Sequence, residues 1–374
     1  MDVDEKVPMV VNLFCPADDT ALKTICTLVG GEGAQKIRIG FCENCGYVGY
    51  IDRPTKEWIY NFYFSDWDRA EDKDTDEIAE KMRERFSCFG PARKGGLWRL
   101  EALDKKYNFD KNKFVLDLGS GYGKQLKIFE ALGFKKLAGV ENSVHRAEAT
   151  KKAYGFKIFT SPFEVRSTQK ELKKLGPIGL IHSHHVLEHT YKPSEIIQAA
   201  ASLQKPGEYF LLALPNIAGE VSLSVLLFFP HLHSFSPTAI ESLMNKHRYE
   251  VIDNTFTTNE ENYILAKKSA NILPKKTKSE NIKTQLVSKF RKGLALKEYN
   301  FDPRLFWCNR GNKRSKEASG QVRDGLIARS CFHFKNRKKQ ILSAAVCDLK
   351  KRYTNVEESP FEIQFAGNVK LTYK

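Results

Sequence analysis

The sequence predicts an α/β fold built on a parallel sheet, and three observations carry that expectation. Phe114, Val115, Leu116 and Leu118 form a short apolar run of the kind buried on both faces of a sheet, ended abruptly by Gly119-Ser120-Gly121-Tyr122-Gly123. Lys124 to Leu132 then sets Leu126, Phe129, Ala131 and Leu132 at near-helical spacing, with Gly133 where a helix C-cap falls. A second apolar strand, Lys136 to Val140, delivers Glu141 at its C-terminal end. Glycines let the backbone approach a ligand at the carboxyl edge of such a sheet. A carboxylate about 20 residues further on can accept both hydroxyls of a ribose. The unit is therefore that of a nucleoside-cofactor site.

The glycine spacing separates two cofactor classes. A dinucleotide fingerprint, G-x-G-x-x-G, needs glycine at the position held by Lys124; here the third glycine is Gly123. Asp117 followed by this G-x-G-x-G turn, and then Glu141, resembles motif I and its acidic partner in class I S-adenosylmethionine-dependent methyltransferases. The resemblance implies a Rossmann-like, seven-stranded sheet and S-adenosyl-L-methionine as cofactor. It implies Asp117, Gly119, Gly121 and Gly123 at the methionine end of the cofactor, Glu141 on the ribose, Ser161 to Phe163 beside the adenine, and His184 at the same edge.

Later segments continue the pattern. Val144 to Tyr154 is expected as a helix, Phe156 to Phe159 as a third strand, and Ser161-Pro162-Phe163-Glu164 as its turn. Ile178 to His189 begins apolar, turns polar at its end and carries Val186-Leu187-Glu188-His189, with Pro193 after it. It resembles the fourth-strand motif of the branch containing ubiquinone-biosynthesis O-methyltransferases and nucleotide-sugar methyltransferases. Leu203 to Glu208 with the strand Leu211 to Asn216, and His231 to Pro237 with the helix and strand behind it, match the same branch in order, so the likeness spans roughly residues 107–267. By that resemblance His189 and His231 contact the acceptor as base or hydrogen-bond partner, and histidine suits proton removal near neutral pH. Six of the nine histidines fall at 182–189 and 231–233. His182 and His184, alternating on the strand, also have a structural use there.

Near the start, Phe41-Cys42-Glu43-Asn44-Cys45-Gly46 is a C-x-x-C-G knuckle that points two thiolates at one metal. A tetrahedral structural Zn2+ needs two more ligands. Cys15 supplies one, and the fourth is either Asp18, in the place of a second knuckle cysteine, or Cys26. Zinc-containing nucleotide-sugar C-methyltransferases share this plan of zinc segment, methyltransferase domain and C-terminal domain. The chain departs from them at that missing cysteine and at Phe228-Phe229-Pro230-His231, where they carry a tyrosine-x-Glu-His cluster. The expected divisions are a zinc-knuckle-like segment at 1–70, a helical connector at 71–106, the methyltransferase domain at 107–268 and a basic accessory domain at 269–374. The aromatic stretch from Arg53 to Asp68 packs one part on another or walls a pocket.

Composition bounds the rest. With 374 residues, 41% hydrophobic and 28% charged, the chain is long enough for real cores and is not disordered by composition. Its longest apolar run, Val221 to Pro230, is about half of the roughly 20 residues that span a bilayer, and the first residues lack a signal peptide's basic start. A cytoplasmic protein without a membrane span is expected. Residues 267–374 hold 26 Lys+Arg against 9 Asp+Glu, a net of +17, so the first 266 residues, from a total of +15, sum to −2. Such a surface attracts anionic or phosphorylated ligands, or is simply solvated. Strand-like pieces at Gly325 to Phe334 and Phe361 to Phe365 and a helix near Gln340 to Lys351 predict a small C-terminal domain packed on the methyltransferase. The expected acceptor is a small molecule or a sugar precursor, methylated on oxygen or carbon. The alternative is a degenerate module that binds RNA or an anionic partner through its basic C-terminal region.

Overall fold

The computed structural model describes residues 8–29, 37–61, 74–87, 97–219 and 231–272, and two strands at 361–365 and 369–373. The N-terminal region contributes β1 (Met9–Val11), β2 (Lys23–Val29), β3 (Ile37–Phe41), β4 (Val48–Tyr50), β5 (Asp52–Pro54) and the helix α1 (Lys56–Asn61). Helices α2 (Thr75–Ser87) and α3 (Leu97–Tyr107) follow. Then come β6 (Phe114–Leu118), α4 (Lys124–Ala131), β7 (Leu137–Val140), α5 (Val144–Tyr154), β8 (Lys157–Phe159), α6 (Arg166–Lys173), β9 (Ile178–His184), α7 (Pro193–Leu203) and β10 (Tyr209–Pro215). The remainder is β11 (His233–Ser234), α8 (Pro237–Lys246), β12 (Tyr249–Asp253), β13 (Glu261–Lys268), β14 (Phe361–Phe365) and β15 (Val369–Tyr373).

The main sheet has seven strands in the order β12-β13-β10-β9-β6-β7-β8. β8, β7, β6, β9 and β10 run parallel, while β13 is antiparallel to β10 and β12 to β13. The parallel strands are buried on both faces, as continuous apolar runs require: Leu116, Ile181, Leu211 and Leu212 are fully enclosed. Helix boundaries follow the chemistry of their ends. Ser143 caps α5 by accepting from the Arg146 N–H, and Gly155, at φ 74°, ends it in the left-handed region. Leu97, Leu100 and Leu103 of α3 share a core cluster with Phe129, Leu180 and Leu265, so this helix is packed into the sheet layer as well as leading to it.

A second, six-stranded sheet, ordered β11-β4-β3-β2-β14-β15, joins the two ends of the chain. Phe361 to Phe365 forms a strand as expected, and it pairs with N-terminal β2; it is not part of the seven-stranded sheet. The expected elements at Gly325 to Phe334 and Gln340 to Lys351, and the apolar run Val221 to Pro230, lie outside the described residues. β11, which in sequence lies between β10 and β12 of the seven-stranded sheet, pairs antiparallel with β4. One core cluster accordingly runs from Cys15, Tyr47 and Ile51 to Ile181, Phe210 and Tyr249. No helix among the described residues is long and apolar enough to cross a membrane.

Candidate active site

The glycine turn leaves β6 at the carboxyl edge of the sheet, and each of its glycines has positive φ: 65° at Gly119, 53° at Gly121 and 70° at Gly123. Their surroundings differ. A Cβ at Gly119 would lie 2.4 Å from Val186 Cγ2, which fastens the turn to the loop after β9, and one at Gly123 would lie 2.7 Å from Thr150 Cγ2. A Cβ at Gly121 would meet nothing within 4 Å. Gly121 is thus the place where the backbone faces open space, as a cofactor's approach requires.

Glu141 ends β7 and folds back on this turn. Its Oε2 accepts from the Gly121 N–H at 2.8 Å and its Oε1 from the Ser143 N–H at 2.9 Å. Glu141 is largely buried, 8% exposed. Asp117 lies deeper, at 1% exposure, with Oδ1 2.7 Å from His182 Nδ1 and Oδ2 without a hydrogen-bond partner among the described residues. In the turn after β8, Phe163 packs into the core and Ser161 stays exposed.

β9 runs beside β6, with Leu118 opposite Ser183, so the loop after β9 emerges next to the glycine turn. Here His185 adopts φ 55°, a left-handed conformation, and aims its ring between two carboxylates. His185 Nδ1 is 3.0 Å from Glu188 Oε1, and its Nε2 is 3.2 Å from Glu261 Oε1. Burial disfavours its charge, but hydrogen bonds to both carboxylates outweigh that and raise its pKa to about 10. Glu188, 1% exposed, is likewise opposed by burial and held down to about 2 by His185 and the neighbouring His189 and His231. Glu261 is lowered as well, against burial, by its contacts with His184 and His185; Arg99 donates to its other oxygen. His184, 3.4 Å from Glu261, is kept neutral chiefly by burial. The His189 and His231 rings stand edge to face with centroids 4.5 Å apart, beside Glu188, whose Oε1 is 3.9 Å from His189 Nε2.

The N-terminal region closes on this edge. His233 Nε2 is 2.9 Å from the Thr190 carbonyl, which can only accept, so Nε2 carries the proton and Nδ1 accepts from the Tyr47 hydroxyl at 2.5 Å. Burial and then Arg53 lower the His233 pKa to about 3, fixing it neutral. The Ser236 hydroxyl, which caps α8, also donates to the Cys45 carbonyl.

The cysteines form a second cluster. Donor atoms of Cys15, Asp18, Cys42 and Cys45 all lie within 4.8 Å of one another. Cys15 and Cys45 Sγ are 3.5 Å apart, and Cys42 Sγ is 3.5 Å from each Asp18 oxygen. A zinc tetrahedron with bonds of about 2.3 Å has edges of about 3.8 Å, so the quartet has the size of a metal site. The two halves repeat one turn. Asp19 N–H bonds to Cys15 O as Gly46 N–H bonds to Cys42 O, and Cys15 N–H to Thr20 O as Cys42 N–H to Tyr47 O. Asp19, at φ 61°, even matches Gly46, at φ 75°. Asp18 therefore stands where a second knuckle cysteine would, and its carboxylate lies in the group. Cys26 lies in β2, paired with Ile39 and Phe365.

The structure brings the Gly121 N–H onto Glu141, His189 beside His231, and Cys42 and Cys45 beside Cys15. Sequence reasoning missed the part played by His185 and Glu261. Glu261 has no local signal at all, since it reaches the site only through the antiparallel pairing of β13 with β10.

Residues 93–254 match the family model described as a methyltransferase domain. No curated protein sequence matches the chain. Among solved structures the chain is similar to an S-adenosylmethionine-dependent methyltransferase from Archaeoglobus fulgidus, with 18% identity, TM-score 0.35, and coverage of 46% of this chain and 95% of that one. It is similar to the Burkholderia thailandensis 1,6-didemethyltoxoflavin-N1-methyltransferase bound to 1,6-didemethyltoxoflavin and S-adenosylhomocysteine, with 14% identity, TM-score 0.35, and coverage of 53% and 91%. An O-methyltransferase family protein from the same organism gives 16% identity, TM-score 0.37, and coverage of 56% and 62%.

Proposed function

We propose that the chain is an S-adenosylmethionine-dependent methyltransferase with a catalytic domain that includes the matched residues 93–254, and that it methylates an oxygen or carbon of a small-molecule or sugar-precursor acceptor held beside His189 and His231. The observation that carries the proposal is the pairing of an open glycine turn, braced by Glu141, with two facing imidazoles, His189 on the loop after β9 and His231 just before β11. The cofactor supplies an activated methyl group on a sulfonium. The protein's work is to align donor and acceptor and, for a hydroxyl acceptor, to take a proton. In this proposal Gly121 and the edge of Glu141 receive the nucleoside, Ser161 borders the adenine, and Asp117, held by His182, keeps the base of the turn in place. His189 or His231 accepts the proton, and Glu188 beside them favours the resulting charge. Cys15, Asp18, Cys42 and Cys45 hold a structural zinc ion that fixes the N-terminal region over this edge.

The test is a calorimetric titration of S-adenosylmethionine into the wild type and Glu141→Ala, followed by acceptor screening through release of S-adenosylhomocysteine. Losing two charge-assisted hydrogen bonds costs about 2 kcal/mol, roughly 30-fold in affinity. Any acceptor found should be turned over at least 100-fold more slowly by the variant, His189→Ala or His231→Ala, that lacks the proton acceptor. Absence of cofactor binding to the wild type would point instead to a degenerate module acting through the basic C-terminal third.

A further inference from the structure

Arg53, on β5, is 8% exposed. Its guanidinium lies 4.2 Å over the ring of Tyr191 and donates from Nη1 to the Tyr191 carbonyl at 3.1 Å. Its Nε is buried without a hydrogen-bond partner, and no carboxylate pairs with it among the described residues. The other buried charges here are matched: Glu188 by His185, and Glu261 by His185 and Arg99. An enclosed cation with an unused donor is costly unless an anion completes it. Arginine's planar fork fits the paired oxygens of a carboxylate or a phosphate.

Its position states where that anion would be. Tyr191 lies two residues beyond His189 and directly follows Thr190, whose carbonyl holds His233. At the other end of the same segment, the Tyr60 hydroxyl of α1 donates to Glu164, in the turn after β8. The β5–α1 segment therefore bridges the turns after β8 and β9, beside the place proposed above for the acceptor. We propose that Arg53, stacked on Tyr191, is an anion-binding residue for the methyl acceptor, so that the acceptor carries a carboxylate or phosphate near its methylated atom. This rests on the methyltransferase function proposed above.

Full-length protein is titrated calorimetrically with sodium benzoate and, separately, with inorganic phosphate, with and without saturating S-adenosylhomocysteine. One of the two anions should bind the wild type and bind Arg53→Gln at least tenfold more weakly, and which one binds names the acceptor's group. Affinity for S-adenosylhomocysteine should be the same in both proteins. Failure of both anions to bind, or equal binding to wild type and variant, as lysines of the C-terminal third would give, overturns the proposal. A lack of S-adenosylhomocysteine binding would instead sink the methyltransferase function, while the titrations without it still decide about Arg53. Should Arg53→Gln prove unfolded by circular dichroism, wild-type protein labelled with [15N]arginine reads the same contact, with Arg53→Lys assigning the resonance. The Arg53 Nε–H signal then shifts with added anion, or stays fixed and refutes the idea.

Discussion

Two buried polar clusters sit within one continuous core, and they are built differently. Around Glu188 and Glu261 every carboxylate meets a cation from the same chain, His185 and Arg99. Around Cys15, Asp18, Cys42 and Cys45 the chain gathers four donors of electron pairs within 4.8 Å of one another. A cluster that neutralises itself stands on the fold alone, whereas four gathered ligand atoms are an arrangement that an ion from outside can hold. This difference predicts how each should fail.

The largest effect is expected at the cysteine cluster. Cys42→Ser should reduce bound zinc from about one equivalent to none by elemental analysis. It should also lower stability by on the order of 5 kcal/mol, since the binding energy of a structural ion is folding energy. Retention of full stability by a metal-free variant would make the two clusters alike. Glu188→Gln comes next and should cost about 3 kcal/mol, because it leaves His185 charged and less well paired. Its pH signature is distinctive. A carboxyl lowered from 4.5 to about 2 gives stability that is present above pH 4.5 and is lost as the pH falls towards 2. His185, raised from 6.5 to about 10, gives stability present below pH 6.5 and lost as the pH rises through 10. Thermal melts at pH 3 and pH 6 should therefore differ less for Glu188→Gln than for wild type. The smallest effect is Asp18→Cys. It completes a four-thiolate site and should tighten zinc by about tenfold in a chelator competition, with stability shifted by about 1 kcal/mol.

The fold was legible because its signals are local. Phe114 to Glu141 forms strand, glycine turn, helix and strand within a residue or two of the expected bounds, since buried parallel strands need unbroken apolar runs and left-handed turns need glycine. The site was legible where chemistry follows directly on a strand, as at Gly121, Glu141 and His189. It was opaque where the third dimension decides. Nothing in the spacing says that Glu261 returns to His185, that Asp117 faces inward to His182, or that Arg53 lies on Tyr191. The fourth member of the cysteine cluster was undecided in sequence because a C-x-x-D knuckle has no motif of its own; the repeated turn hydrogen bonds bring Asp18 to it.

The pairing of β14 with β2 has a consequence for how the molecule is born. Glu362 lies opposite Val29, so that one strand leaves the ribosome more than 330 residues before the other. The seven-stranded sheet, complete by Lys268, can fold while the ribosome is still working. The sheet that carries the knuckle must wait with β2 as a bare edge, open to any strand that drifts past, until Phe361 to Phe365 arrives to cover it.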